Sequence, residues 1–358
     1  MLTSSRKKRI FLAHRSTFIV CVVALTIVSS WWLVHTRKIA AKCLPFESYS
    51  VIRNECYVPC GSEQECAPLD AQYQHILDAR GISSAGQMPL GEKHAAVKPD
   101  AFGETEGTIA LYTITHSGDI VLKELSTSSE AFDPILRDPS VHKLIWQGIK
   151  NILPEKYRFP GMLSLFELYT DGFGGEDAST GQAENTSQWV LSVDPADIIE
   201  HGVFNPSGDF YYAIVHEYGH LLTLNPLQVP PQPESASVSC KTYFPGEGCA
   251  LPDSYILHFF NQFWRGNTFT THEKALNLCG ENADECLPLD TWYDRHKAMF
   301  VTDYAATDPT EDMAESWAAF IVQKKPTGST IADKKVRFFY AYPELVHLRM
   351  VLRGTLSR

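Results

Sequence analysis

Residues 215–225 read VHEYGHLLTLN, which places two histidines four residues apart and a glutamate directly after the first. On a helix His216 and His220 project about 40 degrees apart around the axis, so both imidazoles can reach one metal ion. Glu217 then stands beside the metal, where it can take the proton of a metal-bound water. This HExxH pattern predicts a site for one Zn²⁺ ion. A buried helix whose two histidines are merely hydrogen-bonded is the alternative.

The flanking residues supply the signals of a helix around this motif. Asn205-Pro206-Ser207-Gly208 is a typical helix start, and Pro226 is a typical stop. The residues between them have apolar side chains at helical spacing on the face opposite the histidines. The sequence therefore predicts a helix over residues 209–224.

A catalytic zinc needs a third protein ligand. The metzincin extension requires glycine at 223 and histidine at 226, but the chain has Thr223 and Pro226, which excludes that subclass. Farther on, Glu311 and Glu315 are four residues apart in a predicted helix, so their carboxylates share one face.

Each of these glutamates also has a structural interpretation. Asp308-Pro309-Thr310-Glu311 has the form of a helix N-terminus, with Asp308 as N-cap and Glu311 completing a capping box. Glu315 could be a solvated surface residue, yet its alanine and aromatic neighbours predict a buried helix. A buried carboxylate needs a metal or a partner.

The spacing of six residues resembles the gluzincin arrangement of the anthrax lethal factor catalytic domain and its bacterial relatives: His216, Glu217, His220, Tyr304, Glu311 and Glu315. The resemblance implies that Glu311 is the third zinc ligand and that Glu315 orients a histidine ligand. It implies that Tyr304 steadies the oxyanion or the leaving group. It also implies an α+β, zincin-like fold, with a small twisted sheet, an active-site helix and a helical C-terminal subdomain. Only segments within residues 207–323 carry the resemblance.

The function that follows is a zinc metallopeptidase, in which a zinc-activated water attacks a peptide bond and Glu217 is the general base. A peptide or protein is then the substrate. Two alternatives stay open: a catalytically silent zincin-fold binding or scaffolding protein, and an amidase that acts on a non-protein polymer of the cell envelope. The sequence does not decide the oligomeric state.

The distribution of charge argues against nucleic acid as a partner. Eight of the 31 Lys and Arg residues lie in residues 1–42, which contain no Asp or Glu, so 23 basic residues stand against 42 acidic ones in the rest of the chain. The rest of the chain therefore carries a formal charge near −19, which repels phosphate backbones.

The N-terminal region predicts a membrane anchor. Residues 17–34 are 18 residues without a charge, about 27 Å of helix, and five basic residues precede them within residues 1–16. The positive-inside rule then keeps the N-terminus cytosolic and the rest of the chain extracytoplasmic. Secretion after cleavage of a signal peptide is the alternative.

Cysteine usage agrees with export. Eight of the nine cysteines follow the apolar run, and an even number in an oxidising compartment predicts up to four disulfides. The spacing suggests one pair between Cys240 and Cys249 and another between Cys279 and Cys286. The four cysteines between residues 43 and 66 would form a local knot.

The remaining patterns outline the domain organisation. They predict a Cys-rich juxtamembrane segment over residues 35–70, a linker over 71–106 and a catalytic domain over 107–358, with a Cys-containing insertion at about 226–290. Within that domain they predict a hairpin over residues 108–125, a helix over 140–153, a strand over 162–172 and another over 187–194. The last of these strands is the candidate for the edge that lines the cleft and pairs with an extended substrate.

Overall fold

The structure, a computed structural model, describes most of the chain from residue 63 onwards and two short strands before it. The described residues are 48–50, 55–57, 63–85, 107–126, 133–158, 162–171, 177–183, 188–200, 203–279 and 287–358. The chain divides into two compact units, Met1–Cys66 and Ala67–Arg358. In the first unit, β1 (Ser48–Ser50) and β2 (Glu55–Tyr57) form an antiparallel pair.

The second unit contains a five-stranded sheet. Its strands are β3 (Gly107–Ile114), β4 (Ile120–Leu125), β5 (Leu163–Thr170), β6 (Ala178–Gln182) and β7 (Trp189–Val193). The spatial order is β4-β3-β5-β7-β6. Strands β5 and β7 are parallel, and the other neighbours are antiparallel. A short antiparallel pair, β8 (Ile199–Glu200) and β9 (Val203–Phe204), precedes the histidine helix.

Nine helices are present in the described residues. They are α1 (Glu63–Ala79), α2 (Pro139–Ile152), α3 (Gly208–Leu224), α4 (Tyr255–Phe263), α5 (Asn267–Leu276), α6 (Leu287–His296), α7 (Pro309–Val322), α8 (Ile331–Phe338) and α9 (Pro343–Leu356). With one five-stranded sheet, two short strand pairs and helices gathered mainly after them, the chain is an α+β protein, as the resemblance implies.

The core forms where the sheet meets α2 and α3. Strand β5 alternates between buried and less buried residues, as expected of a strand with one face on the core, and Phe166 and Leu168 are fully buried. The ring of Trp146 on α2 packs 5.1 Å from that of Phe166. The predicted hairpin is confirmed as β3 and β4, and the helix predicted over 140–153 is confirmed as α2.

The prediction of an edge strand at residues 187–194 is wrong. The segment forms β7, but β7 lies between β5 and β6, and Trp189 is completely buried. Its alternating apolar residues suit an interior strand that packs on the core. Among the described residues, β6 is the edge strand on that side; its sequence ASTGQ is polar and contains glycine, so it gives little strand signal.

The predicted linker over residues 71–106 is also wrong for its first part. Helix α1 continues through Ala79, and Tyr73 and Leu77, one turn apart, are buried. Most residues of this stretch are polar, so the sequence pattern gave little indication of a helix. Its short apolar stripe forms a stable helix only when it packs on the rest of the fold. The larger unit thus begins at Ala67 rather than near residue 107; residues 86–106 lie outside the described part.

The segment between α3 and α7 is packed into the core of this unit. Cys240 and Cys249 form a disulfide, which confirms that pairing. Cys66 and Cys279 are disulfide-bonded as well; the predicted partner Cys286 lies outside the described residues. Phe259 and Trp264 in this segment are completely buried, so it contributes to the core as well as to the surface.

A buried charged pair ties α8 to α7, and Trp264 of this segment joins it. Lys335 Nζ lies 2.6 Å from Asp312 Oδ2, and both side chains are completely buried. The indole N–H of Trp264 donates to the same oxygen at 2.6 Å. The ammonium also lies 4.0 Å from the centre of the Phe300 ring, a cation–π contact. Asp312 Oδ2 therefore has a cation and a hydrogen-bond donor within the fold, whereas Oδ1 is buried without a hydrogen bond.

The predicted membrane segment, residues 17–34, lies outside the described residues. None of the helices that the structure describes has both the length and the apolar content to cross a bilayer.

Candidate metal centre

Helix α3 carries both histidines of the motif, as predicted. Ser207 begins the helix by accepting hydrogen bonds from the backbone N–H groups of Asp209 and Phe210. His216 and His220 are 6% and 7% exposed, and their rings pack with centroids 4.9 Å apart. Two neighbouring imidazoles are therefore held in the interior on one face of a helix.

Helix α7 crosses α3 at close range because a glycine stands at the contact. A β-carbon on Gly219 would lie 2.9 Å from the Trp317 ring and 3.2 Å from the α-carbon of Ala314. These distances leave no room for a side chain at residue 219. The glycine inside the HExxH motif thus lets α7 bring its carboxylates to the histidines.

Asp308 caps the start of α7, as predicted, by accepting from the N–H groups of Thr310 and Glu311. The side chain of Glu311 does not follow the capping-box interpretation. Its Oε2 lies 3.0 Å from His216 Nε2 and 3.3 Å from His220 Nε2. The glutamate that could have been a helix cap faces the two imidazoles instead.

Three potential ligand atoms converge at this point. His216 Nε2 and His220 Nε2 are 3.1 Å apart, and Glu311 Oε2 lies 3.0 to 3.3 Å from both. Zinc bonds of 2.0–2.2 Å in a tetrahedron put ligand atoms roughly 3.3 Å apart. The three distances are close to that value, so the donor set fits a tetrahedral zinc ion with one position left for water or substrate.

The environment of the other nitrogen of His216 supports the same conclusion. Nδ1 lies 2.7 Å from Glu315 Oε1. A carboxylate at this distance favours the tautomer that carries the proton on Nδ1. The Nε2 atom then has a lone pair, and this lone pair faces Glu311. Two acceptor atoms 3.0 Å apart repel each other unless a cation or a proton lies between them. A carboxylate–histidine pair of this kind typically orients a zinc ligand.

Glu315 is itself held by two hydroxyl groups that the sequence interpretation missed. Tyr212 donates to Oε2 at 2.8 Å, and Thr302 donates to the same oxygen at 2.7 Å. Tyr212 precedes His216 by one helical turn, a spacing that could have identified it. Thr302 comes from a loop that only the fold brings close. Glu315 is 4% exposed, which excludes the surface interpretation.

Glu217 and Tyr304 lie beside the three converging atoms. Glu217 Oε1 is 3.9 Å from His216 Nε2, and the side chains of His216, Glu217 and His220 can offer ligand atoms within 4.8 Å of one another. Glu311 is closer to both imidazoles, so it fits the third ligand position better than Glu217 does. The Tyr304 ring is 5.9 Å from the His216 ring, and Tyr304 is 37% exposed, which places it at the accessible side.

The charges of these groups influence one another strongly. Burial alone would lower the pKa of His216, but Glu311 and Glu315 raise it well above its ordinary value. Burial is likewise outweighed at His220, whose pKa Glu311 raises. At Glu311 burial opposes ionisation, yet His220 and His216 hold its pKa well below the ordinary value. The cluster is thus built to hold positive charge against a carboxylate.

Other histidines make ordinary packing contacts. His272 is completely buried, with Nε2 3.1 Å from the Ala306 carbonyl oxygen. His296 stacks on Trp292, and His258 Nδ1 lies 3.0 Å from the Tyr342 hydroxyl. These three histidines are therefore packing or surface residues in the structure.

A second acidic group lies at the ends of β5 and β7 and consists of Asp171, Asp194 and Asp197. Asp194 is 2% exposed and accepts from the backbone N–H groups of Asp171 and Ala196. Burial and the neighbouring Asp197 raise the pKa of Asp194 to about 8. Its contacts tie the two strand ends together.

Comparison of the chain with protein-family models, with curated proteins and with solved structures found no match. Any inference about the function of the site therefore depends on its geometry alone.

Proposed function

We propose that this chain is a zinc-dependent metalloendopeptidase with a zincin-like fold of the gluzincin type. One observation carries the proposal: the two imidazole nitrogens of an HExxH helix and a carboxylate oxygen from a second helix lie 3.0 to 3.3 Å apart. His216, His220 and Glu311 would hold the zinc ion, and Glu315 would orient His216.

A zinc ion bound there supplies a Lewis acid and lowers the pKa of a bound water to near 7. Glu217 accepts the proton of the attacking water on its carboxylate and delivers it to the leaving amine nitrogen. Glu311 and Glu315, together with Tyr212 and Thr302, keep the imidazoles in one orientation. Tyr304, at the accessible side, donates its phenolic proton in a hydrogen bond to the carbonyl oxygen as negative charge develops on it.

The sheet favours an extended peptide as the substrate. Strand β6 packs beside α3 and pairs only with β7 among the described residues, so its outer edge can take another strand. Gly181 in β6 has open space where a side chain would stand. The substrate-pairing edge is thus assigned to β6, in place of the strand that the sequence suggested.

We also propose that residues 17–34 anchor the protein in a membrane and that the catalytic unit is extracytoplasmic. The Cys240–Cys249 disulfide supports this location, because disulfides persist in oxidising compartments.

The test is zinc content by elemental analysis and peptide cleavage, both measured on the full-length chain. Wild type should hold one zinc ion. Glu311→Ala should lose most of it, because two imidazoles alone rarely retain a catalytic zinc. Glu217→Gln should retain the zinc and cleave peptides about 10²- to 10⁴-fold more slowly, since it lacks the general base.

Glu124→Ala, which changes an exposed glutamate on β4, is the control and should match wild type in both measurements. Wild type without zinc, or Glu311→Ala with full zinc, would contradict the assignment of the site. Zinc binding without hydrolysis of any peptide would favour the scaffolding alternative.

A further inference from the structure

A cavity lies at the end of the sheet where strands β5 and β7 begin. Its volume is about 190 Å³, which exceeds the roughly 150 Å³ of an engineered apolar cavity that binds benzene. Its lining comes from the end of β3, the turn between β3 and β4, helix α2 and the first residues of β5. None of the described residues that line it belongs to α3 or α7, the helices that supply the metal centre. The cavity is therefore a second candidate site.

Arg158 lines this cavity with a guanidinium group that is only partly exposed. The guanidinium forms no hydrogen bond and no salt bridge with any residue that the structure describes. A β-carbon on Gly118 would lie 2.8 Å from one of its terminal nitrogens, so the glycine gives the guanidinium room. Burial lowers the pKa of Arg158, while the charges of Glu155 and Asp119 raise it. Asp119 is itself paired with Lys150 at 3.2 Å. The N–H groups of the guanidinium thus stay available to a ligand.

Ser164 adds a second polar group to the lining. It is the second residue of β5 and is 9% exposed. Its hydroxyl oxygen is buried and has no hydrogen-bond partner among the described residues. Buried hydroxyl groups are usually hydrogen-bonded, because the loss of water is otherwise not compensated. A ligand with an acceptor atom in the cavity would supply the missing partner.

Much of the remaining lining is apolar. Ile114, Leu163 and the indole ring of Trp146 contribute to it, and Leu163 and Trp146 are buried. The indole N–H of Trp146 donates to the carbonyl oxygen of Gly118 at 2.9 Å, which fixes the ring. Apolar walls with a few convergent polar groups are typical of sites for small molecules. The cavity thus fits a ligand with a polar end and an apolar body.

We propose that this cavity binds a small organic acid, with the carboxylate on Arg158 and Ser164 and the apolar body against Trp146. A guanidinium presents its N–H groups in a planar fork that matches a carboxylate. A monoanion is favoured over phosphate, because Glu155, which also lines the cavity, repels a dianion more strongly. The ligand is a small molecule, since the volume admits little more than one aromatic ring. This inference does not rest on the proposed peptidase function.

Isothermal titration calorimetry on the full-length chain tests this inference with three probes: benzoate, benzamide, which has the same shape without the charge, and inorganic phosphate. Benzoate should bind at one site per chain, about ten-fold or more tightly than either of the others, because only benzoate combines a charged carboxylate with an apolar ring. Glu311→Ala should leave this affinity unchanged. That variant separates binding in the cavity from binding of a carboxylate to zinc.

Variants of the lining test the individual contacts. Arg158→Met should weaken benzoate binding about ten-fold or more, because it removes the guanidinium. Arg158→Lys should also weaken it, since an ammonium lacks the planar fork. Ser164→Ala should weaken binding about two- to ten-fold and should not lower Tm, because the hydroxyl has no partner in the free chain. Lys156→Met, which changes an exposed cation in the same segment as Arg158, is the matched control and should keep the wild-type affinity.

Absence of benzoate binding to wild type, equal affinity for benzamide or phosphate, or unchanged affinity in Arg158→Met would overturn this inference. Loss of benzoate binding in Glu311→Ala would assign the carboxylate to the metal centre and would overturn it as well. None of these results depends on peptide cleavage, so the failure of this inference and the failure of the proposed function are distinguishable.

Discussion

Helix α7 presents two buried carboxylate arrangements on different sides of the same few turns. Asp312 faces Lys335 and the indole N–H of Trp264, so its charge is neutralised by residues of the fold. Glu311, the preceding residue, faces two imidazole nitrogens whose lone pairs need a proton or a metal ion. The first arrangement has its cation and a donor within the fold. The second consists of acceptor atoms that repel one another unless a proton or a cation lies between them.

The largest effect should come from breaking the Lys335–Asp312 pair. Lys335→Met leaves the carboxylate of Asp312 buried without its cation, and such a loss typically costs about 3–5 kcal/mol of unfolding free energy. Chemical denaturation should show this decrease, while the zinc content of the folded chain stays at the wild-type value. Lys334→Met, on the exposed side of α8, should change stability little.

The double variant Lys335→Met with Asp312→Leu sharpens the test. Stability should largely return, because a buried pair can be replaced by apolar residues when both charges are removed together. If Lys335→Met alone is as stable as wild type, the charge of Asp312 does not depend on Lys335 for its stabilisation.

A smaller effect should follow from disturbing the support of the metal centre. Glu315→Gln removes the charge that fixes the proton on His216 Nδ1. Zinc affinity should fall about 10- to 100-fold, which competition with a chelator would measure. Thr302→Val removes one of the two hydroxyl donors on Glu315 and should weaken zinc binding by less. Unchanged affinity in Glu315→Gln would show that His216 is oriented by other contacts.

The remaining effect concerns pH and should develop gradually across the titration. The pKa values of His216 and His220 are raised in the fold, so their bound protons stabilise the metal-free chain fully below about pH 6.5, the unfolded value. This contribution is lost as the pH rises above 6.5 through the raised folded values. With a chelator present, the unfolding free energy should therefore decrease by up to about 1.4 kcal/mol per pH unit for each proton.

Zinc should reverse this dependence, because zinc binds neutral imidazoles and its affinity rises with pH. Thermal unfolding between pH 6 and 8.5, with zinc and with chelator, would compare the two forms. His258→Gln, outside the centre, should keep the wild-type slopes. A metal-free chain whose stability is independent of pH would contradict the coupling of the two imidazoles to Glu311.

Local patterns were sufficient for much of this molecule. The cap residues Ser207 and Asp308, the hairpin of β3 and β4, helix α2 and the Cys240–Cys249 pair follow from short-range geometry. Such features depend on turn chemistry, capping and hydrophobic period, which act within a few residues. Two predictions failed where the local signal was weak: β6 has few apolar residues, and α1 has a narrow apolar stripe.

The sequence by itself determined that His216, Glu217 and His220 share one helix with the spacing of a metal centre, because that spacing is a property of the helix alone. It could not choose between a cap and a ligand for Glu311, since both roles need a glutamate at that position. Tertiary structure decided where its side chain lies, because the close crossing at Gly219 turns Glu311 and Glu315 towards the imidazoles. Thr302 reaches Glu315 from a loop that precedes α7. These contacts join residues far apart in the chain, and only packing fixes them.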